Sequence, residues 1–228
     1  MSGDVPDWLA PLVAAASDVE VHDLTRFAPP GHAQRQSAVL VLFGEGDQGP
    51  DVLIIERAHD MRSHAGQPAF PGGAVDPADD GPIAAAFRES AEETGLDPSG
   101  VDVLAVLPDL WVPPSGFVVT PVLGWWRVPS PVGAMDPAEV ASVHRVPLSE
   151  LTDPDRRFLV RHPSGYVGPA FGVSGLVVWG FTGGLLDRLI YLGRWERPWD
   201  RSRVEPLPEP APGPVIAPDQ AVRKEADE

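Results

Sequence analysis

The chain has 228 residues, 43% of them hydrophobic, which is enough for one sizeable core and favours one domain with appended ends over two. A net charge of −16 argues against sequence-independent binding to nucleic-acid backbones, because nothing offsets phosphate repulsion over the whole surface. With no cysteine the chain forms neither disulfides nor thiolate metal sites, so any metal must be held by oxygen or imidazole, which points to a hard cation.

From the N-terminus, MSGDVPDWLAPLVAAASD lacks the basic start and apolar core of a secretory signal, and no apolar run approaches the length of a membrane span. The cytoplasm is the expected location. Residues 7–16 (DWLAPLVAAA) predict a short helix or a packed arm, and 28–34 (APPGHAQ) a linker, so 1–35 read as an N-terminal arm. AVLVLF (38–43) and DVLIIER (51–57) predict buried strands, with turn chemistry between them in 44–50, and together they predict a hairpin. A long loop carrying HDMRSHAGQPAFPGG (59–73) follows.

The next segment is punctuated as a helix. Asp79 and Asp80 precede it, Pro82 suits its first turn, Ala84–Ala86 favour it, and Gly95 with Asp97-Pro98 stops it. At about 100° per residue, Ile83, Ala86, Phe87, Ser90 and Thr94 share one face and the glutamates take the opposite one, in water. Beyond it VDVLAVL (101–107), FVVTPVLGWW (117–126) and EVASVHRVPL (139–148) predict strands, and FTGGLLDRLIYL (181–192) predicts a helix. From Val204 the sequence is rich in proline and charge with no packing period, which predicts a disordered acidic tail over 204–228. Strands with a helix inserted among them predict a layered α/β domain over residues 36–200.

Within the helix, RESAEETG places Glu89 three and four positions before Glu92 and Glu93, so the like charges are neighbours on its surface. Each such pair costs about 0.2–0.5 kcal/mol. Either the face is solvated and screened, or a cation reverses the repulsion.

Residues 72–96 (GGAVDPADDGPIAAAFRESAEETGL) resemble a Nudix box, G-x5-E-x7-R-E-U-x-E-E-x-G-U with U apolar. Arg88, Glu89, Glu92, Glu93, Gly95 and Leu96 match; Ser90 replaces an apolar residue, the leading acid falls on Asp80, and Gly73 lies one position early. One extra loop residue accounts for the slip, with Asp79 or Asp80 as the acid. The preceding LIIERAHDMRSHAGQPAFPGG (53–73) resembles a narrower signature of coenzyme A pyrophosphatases in the same superfamily. Arg57, Ala58, Arg62, Gly66, Phe70, Pro71, Gly72 and Gly73 fall at its matching places, and similarity extends over roughly residues 36–196.

The resemblance implies a Nudix fold, an α/β/α sandwich with a mixed β-sheet. It also implies Mg²⁺- or Mn²⁺-dependent hydrolysis of a small-molecule nucleoside diphosphate linked to a further group. For the subfamily the substrate is coenzyme A or its acyl esters, cut to 3′,5′-ADP and (acyl-)4′-phosphopantetheine. The rival readings are a Nudix pyrophosphatase acting on ADP-ribose, a dinucleotide or a nucleoside triphosphate, and a non-catalytic ligand-sensing module. Glu89 and Glu93 are the implied direct metal ligands, and Glu92 a ligand or a base. A three-glutamate face with room for waters and phosphate suits Mg²⁺, and the tight turn at Gly72-Gly73 could bring a Gly73 carbonyl to the metal. Arg88 would orient a carboxylate by a bidentate contact. Arg57, Arg62 and His64 either contact phosphate or position their loop. Asp79 and Asp80 also suit helix capping, and Glu139 is either a further ligand or base, or an exposed acid. Phe70, Trp179 and Phe181 read as core, and His144 and His162 receive no role. No membrane or nucleic-acid partner is expected, and a homodimer stays open.

Overall fold

The computed structural model describes residues 5–25, 27, 35–59, 64–113, 115–163 and 165–207. Helices α1 (Ala10–Ala16) and α2 (Val21–Leu24) open the chain as a packed arm, with Leu9 and Leu12 fully buried. Trp8 fastens the arm: its ring lies edge-on to Phe43 and Trp125, and its indole N–H donates to Glu45 at 2.7 Å. The linker at 28–34 lies outside the described residues.

The predicted hairpin forms from β1 (Arg35–Gly46) and β2 (Gly49–Arg57), and its turn is tighter than the expected 44–50 because the ladder runs on to Gly46↔Gly49. The two strands pair only at that end. Farther along, β1 takes β4 (Gly72–Ala74) through Ser37–Val39, while β2 takes β3 (Pro68–Ala69) through Ile55 and Glu56. The hairpin therefore splays, and the FPGG turn fills the opening. Next come α3 (Gly81–Thr94), β5 (Val101–Val106), β6 (Leu110–Val112), β7 (Phe117–Trp126) and β8 (Val140–Pro147). Among the described residues the main sheet runs β3-β2-β1-β7-β5, with β4 on β1, β6 on β7 and β8 on β2; β1 and β7 are parallel and the other pairs antiparallel. The mixed sheet agrees with expectation.

The rest is α4 (Leu148–Leu151), β9 (Arg157–Arg161), β10 (Val167–Val173), β11 (Leu176–Val178), α5 (Gly180–Leu192) and β12 (Val204–Pro206), with a second sheet ordered β11-β10-β9-β12. Strands β6 and β9–β11 carry no expectation from sequence, since β6, β9 and β11 are only three to five residues long and glycines and a proline interrupt the apolar run of β10. Both faces of the main sheet are covered. Ala38, Leu40, Leu42 and Leu53 pack with Ala85 and Ala86 of α3, while Val41, Phe43, Val52 and Ile54 pack with Leu12, Leu185, Leu189 and Phe171 on the other side. A strand buried on both faces has no need of alternation, hence the continuous AVLVLF. Of the expected core aromatics, Phe70 is buried in this second cluster, with Phe181 partly buried against it. Trp179, also partly buried, packs against a third cluster of Phe158, Val160 and Ala170 and stacks on His162, their ring centroids 5.8 Å apart.

Two expectations need correction. The tail does not begin at Val204, because β12 pairs in parallel with β9 and Leu207 packs against the cluster of Phe158 and Val160. Residues 208–228 lie outside the described set. The faces of α3 also differ: its buried residues are Ala85, Ala86, Ser90, Glu93 and Thr94, so one glutamate turns toward the sheet. Among the described residues no helix is long and apolar enough to cross a membrane.

Strand β9 is tied to α5 by a buried ion pair. Arg157, 1% exposed, donates to Asp187 at 2.5 Å, sits 3.7 Å from Glu196, and lies 4.8 Å from the Trp199 ring centroid. Removing one partner of such a pair strands the other charge in a low-dielectric site. Asp187→Ala should therefore lose about 3 kcal/mol, seen as a fall of roughly 6–12 °C in Tm. A shift below about 2 °C in thermal unfolding would show that Glu196 alone compensates Arg157.

Candidate active site

The acid cluster sits where α3 crosses the splayed hairpin. Helix α3 ends as its sequence dictates, with Gly95 at φ +72° as the left-handed cap and its N–H bonded to Ala91. Ser90, the departure from the apolar pattern, is fully buried yet satisfied: its hydroxyl donates to the Ala86 carbonyl at 2.6 Å, and the Thr94 hydroxyl donates to its own carbonyl. The substitution leaves no orphaned polar atom and the helix packs normally.

Glu93 is 5% exposed, and its Oε2 accepts the backbone N–H of Gly72 at 2.8 Å. Burial pushes its carboxyl up to about 7; the Gly72 N–H and the Arg57 charge oppose that rise, and Glu89 and Glu139 reinforce it. Glu89 is also raised, first by burial and then by Glu92 and Glu139, against the pull of Arg88. Its carboxylate occupies the space beside Gly73 where a Cβ would lie, about 2.4 Å from the carboxyl carbon. Gly72 has a different reason to be glycine. At φ +150° a Cβ there would meet the Ala38 carbonyl oxygen at 2.3 Å and the Val39 Cα at 2.6 Å.

Arg88 organises the rest. It forms a fork on Asp79, Nε to Oδ1 at 3.0 Å and Nη2 to Oδ2 at 2.9 Å, and also donates to Glu89 at 2.9 Å, Glu92 at 3.1 Å and the Ala74 carbonyl at 3.0 Å. The hydrogen bonds from Arg88 hold Asp79 below the usual carboxylate range. Asp79 also accepts the Asp76 N–H at 2.8 Å, whereas Asp80, at the N-cap of α3, makes no side-chain capping bond. Of the two candidates for the leading acid, Asp79 is the one bound to the arginine.

Other candidates are distributed unevenly. Arg57 reaches the cluster electrostatically. Glu139 is exposed, its charge acts on both Glu89 and Glu93, and its carbonyl accepts the Ala58 N–H at 2.9 Å. His64, at φ +57°, has its Nδ1 2.8 Å from Gln67 Oε1, a contact within its own loop. Arg62 lies outside the described residues. The expectation of a uniformly solvated glutamate face fails because only Glu92, with a 60% exposed side chain, points clearly into water.

Among the described residues no three carboxylate or imidazole groups converge tightly enough to close around an ion as they stand. Their chemistry nevertheless fits a hard divalent cation. Glu89 and Glu93 are acidic oxygen donors on one helix that repel each other and Glu139, and Gly73 lets the backbone come close to them.

Residues 33–166 match the NUDIX domain family. The chain is 48% identical over 117 residues to the Nudix hydrolase NudL of Cronobacter sakazakii, covering 51% of this chain and 59% of that protein. It is 37% identical over 158 residues to NudL of Escherichia coli strain K12, covering 68% of this chain and 81% of the relative. A solved Nudix hydrolase from M. smegmatis, RenU, aligns with a TM-score of 0.47 at 19% identity over 74% of this chain and 91% of that one.

The two glycines separate stability from site geometry. Gly72→Ala pushes a methyl into backbone and should cost several kcal/mol, whereas in Gly73→Ala the mobile end of Glu89 can yield. Gly73→Ala should therefore keep Tm within a few degrees while shifting the Glu89 carboxylate; Tm measurements showing equal losses in both variants would contradict this reading.

The buried carboxyl of Glu93 also sets a pH dependence. Its folded pKa of about 7 lies above the ordinary glutamate value of 4.5, so its contribution to stability is full below the latter and is lost as pH rises through the former. Without divalent ions, Glu93→Gln should exceed wild type in stability above about pH 7, by on the order of 1–3 kcal/mol, and converge with it near pH 5. Urea unfolding at the two pH values tests this, and a constant difference would remove Glu93 as the source.

Proposed function

The chain belongs to the Nudix family of diphosphate-bond hydrolases, and on that premise we propose that it cleaves the pyrophosphate bond of coenzyme A or its acyl esters in a Mg²⁺- or Mn²⁺-dependent reaction. The observation that carries the hydrolase reading is the pairing of Glu89 and Glu93 with the Gly72-Gly73 turn, one carboxylate against each glycine. The coenzyme A assignment rests on the resemblance of residues 53–73 to the subfamily signature.

On this reading Glu89 and Glu93 hold the metal with the Gly73 carbonyl as a further donor, and Glu92 sits at the solvent side of the cluster. Mg²⁺ or Mn²⁺, when bound, supplies charge neutralisation of the diphosphate and polarisation of phosphorus. The protein's own groups do the remainder. Arg88, forked on Asp79, holds Glu89 and Glu92 at fixed spacing instead of touching substrate. Arg57 brings positive charge to a protein that otherwise repels a diphosphate. Glu139 serves as the base that takes a proton from the attacking water. It is favoured over Glu92 because Arg88 already engages Glu92, whereas Glu139 approaches from a different element and acts on both metal-holding carboxylates.

Incubation of the full chain with coenzyme A, ADP-ribose, dinucleotides and nucleoside triphosphates, with and without Mg²⁺ or Mn²⁺, followed by chromatography, tests the proposal. The expected products are 3′,5′-ADP and 4′-phosphopantetheine, formed only with metal, and Glu93→Gln should lose at least about a hundredfold in kcat. Arg62→Ala should cost the coenzyme A reaction roughly tenfold to a hundredfold more than the ADP-ribose reaction, because an arginine suits the 3′-phosphate that ADP-ribose lacks. Preference for ADP-ribose would overturn the subfamily assignment.

A further inference from the structure

Strands β2 and β8 are in register from Asp51↔Pro147 to Glu56↔Ser142, and there the ladder slips: Arg57 pairs with Val140, leaving Ala141 as the extra residue of a bulge. Bulges beside active sites re-aim side chains, and this one has such a position. On one side it abuts Arg57, whose charge reaches Glu93, and on the other Glu139, whose carbonyl accepts the Ala58 N–H. The loop strand also closes on the same point, since Arg57 N–H donates to the Gln67 carbonyl and Gly66 N–H to the Arg57 carbonyl.

A line of side chains on the sheet face opposite Arg57 ties this bulge down. The Ser142 hydroxyl donates to Glu56 Oε2 at 2.7 Å, and His144 Nε2 lies 2.7 Å from the same hydroxyl oxygen. A hydroxyl has one proton, and here the carboxylate takes it, so His144 Nε2–H is the donor to Ser142. The other Glu56 oxygen faces His59 Nε2 at 3.4 Å, and the His59 ring fills the space beside Gly66 where a Cβ would lie. Hydrophobic cross-strand contacts would hold the sheet as well without fixing one register; a directional chain of charge-assisted hydrogen bonds selects one.

We propose that Glu56, Ser142 and His144 form a positioning array that locks the bulge at Ala141 and so holds Glu139 in its place at the acid cluster. The inference rests on the proposed hydrolase reading and on Glu139 as its base. None of the three residues touches substrate. Their effect is exerted through Glu139, which a shift of about 1 Å would misalign.

The test is a double-mutant cycle on metal-dependent turnover by the full chain, with substrate chosen from the panel above. Ser142→Ala should lower kcat roughly tenfold to a hundredfold with KM nearly unchanged, and Ser142→Thr, which keeps the hydroxyl, should restore it. Glu56→Ala removes the acceptor from the other strand and should behave like Ser142→Ala. In the background of Glu139→Gln, Ser142→Ala should cause no further loss, because the base it positions is gone. Losses that multiply in the double variant, failure of Ser142→Thr to rescue, or an unchanged kcat in Ser142→Ala each overturn the array. If Glu139→Gln is itself as active as wild type, the array has no catalytic target and the inference falls. A wild type that cleaves no diphosphate with any divalent ion is a different result, removing the proposed function instead.

Discussion

A single guanidinium makes the acidic face of α3 possible. Arg88 binds Asp79 through both oxygens and reaches Glu89, Glu92 and the Ala74 carbonyl with its remaining donors, so the negative groups share one fixed partner. Without it, Glu89 and Glu92 would repel each other and lose their common geometry with Asp79, while Glu93 is held separately by the Gly72 N–H. A lysine could carry the charge but not the fork on Asp79, because its ammonium is a point donor. The side chain itself is 28% exposed, so part of this attraction is screened; its contribution lies more in direction than in net stability.

The splayed hairpin supplies the second half of the site. Because β1 exchanges β2 for β4 partway along, the Gly72-Gly73 turn is drawn into the sheet plane directly under α3. There its two glycines meet two different neighbours: backbone of β1 at Gly72 and the Glu89 carboxylate at Gly73. The Gly72 N–H is turned toward Glu93, which gives a buried carboxyl one strong donor and too little compensation to remain comfortably ionised. A site that leaves negative charge undercompensated in this way favours the arrival of positive charge, which is the electrostatic case for a divalent cation. The Arg57 charge acts on the same carboxyl from β2, and the bulge at Ala141 lies two residues beyond Glu139 on the neighbouring strand.

The second sheet and the N-terminal arm bear on this only indirectly. They cover the face of the main sheet away from α3, through Leu12, Leu185, Leu189 and Phe171, and the Arg157–Asp187 pair fixes β9 against α5. A sheet sealed on both faces is rigid enough for sub-ångström differences at its splayed end to persist.

The sequence by itself determined the helix over Gly81–Thr94, the strands β1, β2, β5, β7 and β8, and the grouping of Arg88 with the glutamates, because each of these rests on local chemistry: a proline in the first turn, a left-handed glycine stop, apolar runs, and residues three and four apart on one helix. It could not tell which glutamate is buried. Helical periodicity put Glu93 with the solvated face, and only the crossing of α3 over β4 turned it inward onto the Gly72 N–H. Nor could it choose between Asp79 and Asp80, adjacent residues of one type, whose difference is decided by which of them the Arg88 fork can reach. The tail shows the same limit: Val204–Pro206 has no strand pattern of its own and becomes a strand because β9 offers it an edge. The array of Glu56, Ser142 and His144 joins residues 86 positions apart through a register set by two whole strands, and such long-range pairing leaves no spacing in the sequence to read.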